Sequence, residues 1–313
     1  MTNQTVWKEF FLLGFSDIRE LQILHFLAFL SIYLAALMGN LLIVLTIIQN
    51  CHLHSPMYFF LLNLSFIDTC FISATVPNSM ASSLMDNRGI SFLGCVTQVF
   101  LVITFVGTEL FFLTAMAYDR YVAICHPLQY AVIMNPHACL EIAAASWVTG
   151  SINGVVQTAN TFRLHFCSSH IQQFFCDIPQ LLIISCMDTT ANEWLIMAGA
   201  FTVGSFCFLF ILVSYGYIFS TVFKIQLAHG RQKAFSTCTP HLTVFCLFFS
   251  TAAFSYMRPK ALSSPPVDLL AAVLYAMLPP LMNPIIYSLR NKEIQGAMWK
   301  MSKKRFRFHI VIS

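Results

Sequence analysis

WLIMAGAFTVGSFCFLFILVSYGYIFSTVF, residues Trp194 to Phe223, runs thirty residues without an Asp, Glu, Lys or Arg. A helix rises about 1.5 Å per residue, so about 20 apolar residues cross the hydrocarbon core of a bilayer. A barrel strand needs only about 9–11, so a run of this length reads as a membrane-spanning helix. Six further stretches qualify on the same ground: Leu24–Ile48, Met57–Met80, Cys95–Tyr118, Cys139–Ala159, Thr237–Met257 and Asp268–Ser288. The fourth in chain order, Cys139–Ala159, is the least apolar, with Glu141, Asn153 and two glycines. The expectation is an all-α membrane protein. A bundle of seven transmembrane helices occupies 24–288, after an N-terminal segment 1–23 and before a tail 289–313.

Composition agrees. The 313 residues are 58% hydrophobic and 10% charged, with mean hydropathy +0.72. A soluble domain carries about 25% charged residues, so this chain has too little polar surface to cover itself in water. Disorder, coiled coil and a small disulfide scaffold are excluded by the same numbers. A net charge of +4 spread along the chain argues for no nucleic-acid partner. No HExxH, GxSxG or phosphate-loop pattern is present, and no metal ligand set or catalytic constellation stands out, so no enzyme is expected.

Seven spans put the termini on opposite sides, and the basic residues choose the sides. With the N-terminus outside, the cytoplasmic parts hold eleven: Arg120, Lys224, Arg231, Lys233, Arg290, Lys292, Lys300, Lys303, Lys304, Arg305 and Arg307. The outside parts hold six: Lys8, Arg19, Arg88, Arg163, Arg258 and Lys260. That bias favours the N-terminus outside and the C-terminus cytoplasmic. Phe10–Phe15 is too short for a signal peptide, so the first span is expected to serve as its own targeting signal. Asn3-Gln4-Thr5 is a glycosylation sequon on the outer side, and a second sequon at Asn63 falls inside a span.

Of eleven cysteines, Cys95, Cys167, Cys176 and Cys186 fall at or beyond the outer face, the oxidising side. Four thiols allow three pairings, and four free thiols or a metal site with His165 and His170 are the alternatives. The other seven read as reduced packing residues. The segment Asn160–Glu193 is long for a connection, hence functional or tied down. In the tail, Asn291–Lys304 reads as an amphipathic cytoplasmic helix on the bilayer surface. Ile294, Ala297, Met298 and Met301 form its apolar face, with Lys292, Lys300 and Lys303 off it.

Ionisable groups at membrane depth are costly and mark function. Asp68 and Glu109 each lie about 16 Å from the inner end of their spans. Asn40 and Asn283 lie somewhat nearer the cytoplasm. Together they form an intramembrane polar cluster that a cation such as Na+, a proton or water would neutralise, or a structural hydrogen-bond network; the residues alone leave both open. Pro77, Pro240, Pro279, Pro280 and Pro284 permit kinks, which suit a shape-switching protein and also a transporter with broken helices. A transporter would show internal symmetry, and none is visible. His25 and His241 read as hydrogen-bonded helix residues.

MAYDRYVAIC, Met116 to Cys125, closes the third span and resembles the motif of vertebrate olfactory receptors, rhodopsin-like G-protein-coupled receptors. PMYFFL from Pro56 with Leu64-Ser65 and Asp68, Gly39-Asn40, Ser214-Tyr215 with Ile218, KAFSTC from Lys233, and PLMNPIIYSLRN from Pro280 match the same family. The resemblance runs from Phe11 to about Lys300 and is similar to the tetrapod-type, class II branch. Phe248-Phe249-Ser250 stands where the family shows Phe-Tyr-Gly, which removes a hydroxyl. Pro240 replaces a serine and Met282 a leucine.

The resemblance implies disulfides Cys95–Cys176 and Cys167–Cys186. It implies a small, mostly hydrophobic volatile odorant bound in the outer half of the bundle, and a stimulatory olfactory-type G protein that raises cyclic AMP. It implies a switch at Asp119, Arg120 and Tyr121, with Tyr215, His241 and Tyr287 in the inner rearrangement and Lys233 at the G-protein-facing end of the sixth span. Outer-half positions for the ligand are Val102, Ile103, Val106 and Gly107, then Gly199 and Val203, then Phe249, Ala252, Ala253 and Tyr256. Nearly all are apolar, which suits an odorant with one alcohol, carbonyl or ester group. Val102 stands where aminergic receptors carry an aspartate, which disfavours an anchored amine.

Overall fold

The computed structural model describes residues 8–13, 18–85, 89–224, 228–256 and 264–299. Asn3, Arg258, Lys260, Lys300, Met301 and Lys303 lie outside the described residues, as does the side chain of Lys233.

Among the described residues, seven helices are long and apolar enough to cross a membrane. They are α1 (Arg19–Gln49), α2 (Pro56–Met85), α3 (Phe92–Cys125), α5 (Pro136–Phe162), α7 (Thr190–Lys224), α8 (Ala228–Tyr256) and α9 (Pro265–Arg290). Short helices α4 (Tyr130–Ile133), α6 (Ile178–Ile183) and α10 (residues 292–299) lie at the ends of the bundle. Ser91 caps α3 by accepting from Gly94 N at 3.1 Å, and Asn135 caps α5 from Ala138 N at 2.9 Å with Pro136 in its first turn. α3 packs on α2, α5, α7 and α8 and forms the centre. α7 turns Phe201, Phe206, Leu209, Leu212 and Val213 outward, as a helix bordered by lipid does.

Small residues set the closest helix contacts. A Cβ on Gly150 or Gly154 of α5 would lie 2.1 Å from Thr108 Oγ1 or 2.2 Å from Thr104 Oγ1 of α3. The two glycines that lower the hydropathy of this span are its packing surface. On α1, a Cβ on Gly39 would lie 2.9 Å from the Pro284 ring of α9. That approach brings Asn40 within reach of α9. Pro284 has no N–H, so the Pro280 carbonyl one turn earlier loses its helical donor. Asn40 Nδ2 replaces it at 2.8 Å.

The end of the bundle that carries the disulfides also holds a small sheet of order β2-β1-β3: β1 (Glu9–Leu12), β2 (Gly89–Ser91) and β3 (His170–Ile171). β1 runs antiparallel to β2 (Phe10 opposite Ile90) and parallel to β3 (Leu12 opposite Ile171). Phe10 and Leu12 are buried while Glu9 and Phe11 face out, the alternation a half-buried strand requires. These side chains join Cys95, Val99, Phe166, Ile171 and Leu181 in a second core separate from the main one. At the other end, α10 buries Ile294 and Ala297 and exposes Lys292 and Trp299. Tyr58 of α2 holds α10 in place, its hydroxyl 2.7 Å from Glu293 Oε2 and 3.2 Å from Asn291 Oδ1.

Candidate functional site

At the α10 end, Asp119 is fully buried and Arg120 nearly so. Arg120 donates through Nε at 3.0 Å and through Nη2 to Asp119 Oδ2. The second carboxylate oxygen accepts from Tyr130 of α4 at 2.7 Å. Burial and the adjacent carboxylate raise the Tyr130 phenol above its ordinary pKa. Tyr121 lies 3.0 Å from His126 Nε2, at the foot of α3.

His241 Nε2 lies 2.8 Å from the Leu113 carbonyl, which can only accept, so that nitrogen carries the proton. Nδ1 then accepts from Tyr215 Oη at 2.7 Å. One imidazole thus ties α8 to both α3 and α7. Tyr287 is buried nearby, and its hydroxyl has no hydrogen-bond partner among the described residues. A cavity of about 640 Å³ opens here, lined by Tyr58, Met116, Arg120, His241, Tyr287 and Glu293.

Half-way along the bundle, Asn283 Nδ2 donates to Asp68 Oδ2 at 2.9 Å. Glu109 is buried against the same two residues. Asn40 is buried too, but its amide serves the Ala36 and Pro280 carbonyls, and no bond joins it to Asp68 or Glu109 among the described residues. One oxygen each of Asp68, Glu109, Asn283 and Asn40 has no hydrogen-bond partner there.

At the opposite end the structure joins Cys95 to Cys176 (Cα–Cα 5.6 Å) and Cys167 to Cys186 (5.3 Å). The first bond draws the long connection inward. Cys176 N donates to Gln98 Oε1 at 2.8 Å, and Gln98 Nε2 donates to the Ala74 carbonyl at 2.8 Å. Ser79 Oγ donates to the Phe174 carbonyl at 2.5 Å. Phe174 and Phe175 are buried, so the connection is a plug in the mouth of the bundle and not a surface loop. Asp177 follows them inward and accepts from Tyr256 Oη at 3.2 Å. Burial pushes its carboxyl up to about 6, against the bonds from Tyr256 and the Ile178 amide. Tyr256 meets Tyr275 edge-on at 5.3 Å.

The outer-half positions do not all converge. Val102, Val106, Phe249 and Ala252 belong to the main core, and Phe249 stacks on Phe208 at 4.9 Å. Val203 and Ala253 are half-buried. Ile103 packs against the second core, at the disulfide end, instead. Gly107 faces α5, where a Cβ would meet Gly150 Cα at 3.7 Å, and Gly199 faces Gln157 at 3.2 Å. These two positions serve helix contact, because the sequence reading assigned them by depth and not by direction around the helix. Tyr256, placed among the ligand positions, donates to Asp177. Sequence reasoning missed Asp177, Gln98 and Tyr130. Only Asp177 had a signal, its place directly after Cys176.

The olfactory receptor family model matches residues 29–305. The chain is 51% identical to human (Homo sapiens) olfactory receptor 14C36, over 98% of each chain. It is 49% identical to human olfactory receptor 14A16, over 97% of this chain and 98% of that one. The crystal structure of squid rhodopsin superposes with TM-score 0.72 at 17% identity, covering 91% of this chain and 87% of that one, which shows the shared fold. Relatives over this whole length are receptors and not enzymes, and with seven spans the chain is a multi-pass membrane protein: it belongs to the olfactory receptor family.

Proposed function

We propose that this receptor binds a small, mostly hydrophobic volatile odorant in the outer half of the bundle and activates a stimulatory olfactory-type G protein, which raises cyclic AMP. In this reading the N-terminus and the disulfides face outside, and α10 and Arg120 face the cytoplasm, in keeping with the bias of basic residues.

The observation that carries the proposal is Arg120, clamped by buried Asp119 and lining the 640 Å³ cavity at the α10 end. Freed from Asp119, its guanidinium is a strong donor fork in that cavity able to meet a partner's carbonyls. Odorant and G protein each bind the released state better, so their binding is coupled. The Tyr215–His241–Leu113 chain restrains α7 and α8 against α3, and its rupture accompanies release. At the outer end, an odorant oxygen competes for the Tyr256 hydroxyl with Asp177. Asp68, Glu109 and Asn283 offer hard oxygen ligands suited to a sodium ion, and their unpartnered oxygens support that reading over a closed hydrogen-bond network.

The test is a cyclic AMP response to an odorant panel in cells that carry the olfactory G protein. Arg120→Ala at matched surface expression is expected to abolish the response. A full response from that variant refutes the role given to Arg120.

A further inference from the structure

The cavity at the α10 end is lined by a carboxylate as well as by Arg120. Glu293 reaches it from the first turn of α10 and is the acid among the described residues that line it. The Tyr58 hydroxyl lies within electrostatic reach of both charges. It faces Glu293 Oε2 at 2.7 Å and Asn291 Oδ1 at 3.2 Å. A phenol has one proton to give, and the shorter, charged contact takes it.

α10 does not need this bond to form. Asn291 Oδ1 caps the helix by accepting from the Glu293 and Ile294 amides at 3.0 and 3.2 Å. Ile294 and Ala297 then bury the apolar face of α10 in the main core. What the Tyr58 bond adds is a direction for the Glu293 carboxylate. Arg120 is 13% exposed, and a guanidinium leaving Asp119 at such a site gains by meeting a second counter-ion. We propose that Glu293 receives Arg120 when it leaves Asp119, and that Tyr58 holds Glu293 back in the closed state. The inference rests on the switch role given to Arg120 above. Glu293 and Tyr58 act through Arg120 and are positioning residues. A guanidinium has five N–H donors, so pairing with Glu293 leaves others for a partner's carbonyls.

The experiment uses the full chain in cells with the olfactory G protein. Cyclic AMP is read without odorant and across an odorant titration, at matched surface expression. Tyr58→Phe keeps the ring and frees Glu293, so basal cyclic AMP is expected to rise about five-fold, the worth of one net hydrogen bond. Glu293→Gln keeps an acceptor for Tyr58 and removes the charge. It is expected to raise the odorant EC50 about five-fold and to lower basal cyclic AMP, and Glu293→Asp to recover part of the loss. Both variants weaken the same hydrogen bond, so a residue pair that only anchors α10 moves both readouts in one direction. Movement of the two variants in the same direction, or no change in either one, overturns the proposal. Arg120→Ala separates the two levels. A full response from it removes the Arg120 switch and Glu293 with it, whereas a silent Arg120→Ala beside an unchanged Glu293→Gln removes Glu293 alone.

Discussion

Asn40 should cost most to remove where Pro284 is present. The Pro280 carbonyl has lost its helical donor to the proline ring, and Asn40 Nδ2 at 2.8 Å is the donor that replaces it. Asn40→Ala leaves a carbonyl unpaired in a buried interface, an expected loss of about 1–3 kcal/mol. The other Asn40 bond, to Ala36 O at 3.0 Å, adds little because that carbonyl is already within helix α1. Pro284→Ala restores an N–H at 284 that reaches Pro280 along the helix. In that background Asn40→Ala should cost less, by about 1–1.5 kcal/mol, near the upper range measured for interhelical bonds in membranes. The ring atoms lost against Gly39 enter both arms of the cycle and cancel. Unfolding free energies from SDS titration in mixed micelles give the four corners. Additivity within about 0.5 kcal/mol would falsify the assignment of Asn40 as the substitute donor.

Gly150→Val should destabilise the bundle by about 1–3 kcal/mol or more through overpacking. Thr108→Ala should restore only part of this, because Thr104 O and Thr108 N also stand 3.0 and 3.1 Å from the added carbon; full rescue in the same titration contradicts the backbone contact. Cys95→Ser opens a bond spanning 81 residues and Cys167→Ser one spanning 19. Expected losses on the chain-entropy account are about 4–5 and about 3 kcal/mol, and the reverse order in thermal unfolding counts against it. Asp177 titrates near 6 when folded and near 3.8 ordinarily, so the folded state binds its proton more tightly. Its contribution is fully present below about pH 4 and lost as pH rises through 6, about 3 kcal/mol in all. Asp177→Asn should flatten the unfolding profile between pH 4 and 7, and an unchanged profile would remove Asp177 as its source.

The spans were legible because crossing a bilayer demands one thing of every turn, that it be apolar, and Trp194–Phe223 meets that demand without exception. Direction around the helix was not legible in the same way. Val106 and Gly107 differ in depth by only about 1.5 Å, yet one packs against the main core and the other meets Gly150. Composition hid the purpose of Gly150 and Gly154, since a residue that weakens hydropathy and one that permits a close helix contact read alike. The small sheet was beyond reach for another reason. Phe10 and Leu12 alternate over only four residues, too few to distinguish from chance, and their partners at Ile90 and Ile171 are far away in the chain. The plug is similar: Phe174 and Phe175 read as loop until a disulfide to Cys95 pulls them under the mouth.

Buried side-chain atoms without a protein partner among the described residues recur along the bundle, Gln157, Thr158 and Asn160 near the disulfide end of α5 among them. At the disulfide end Gln98, Ser79 and Tyr256 bond the plug, and at the α10 end Asp119, Tyr130 and His241 are hydrogen-bonded. Between them, Asp68, Glu109, Asn283 and Tyr287 each keep a buried atom without a protein partner among the described residues. Pro279, Pro280 and Pro284 strip helical donors from the same stretch of α9. A buried polar atom left unpaired costs on the order of 1–3 kcal/mol, and that cost falls only if the helices move or something enters.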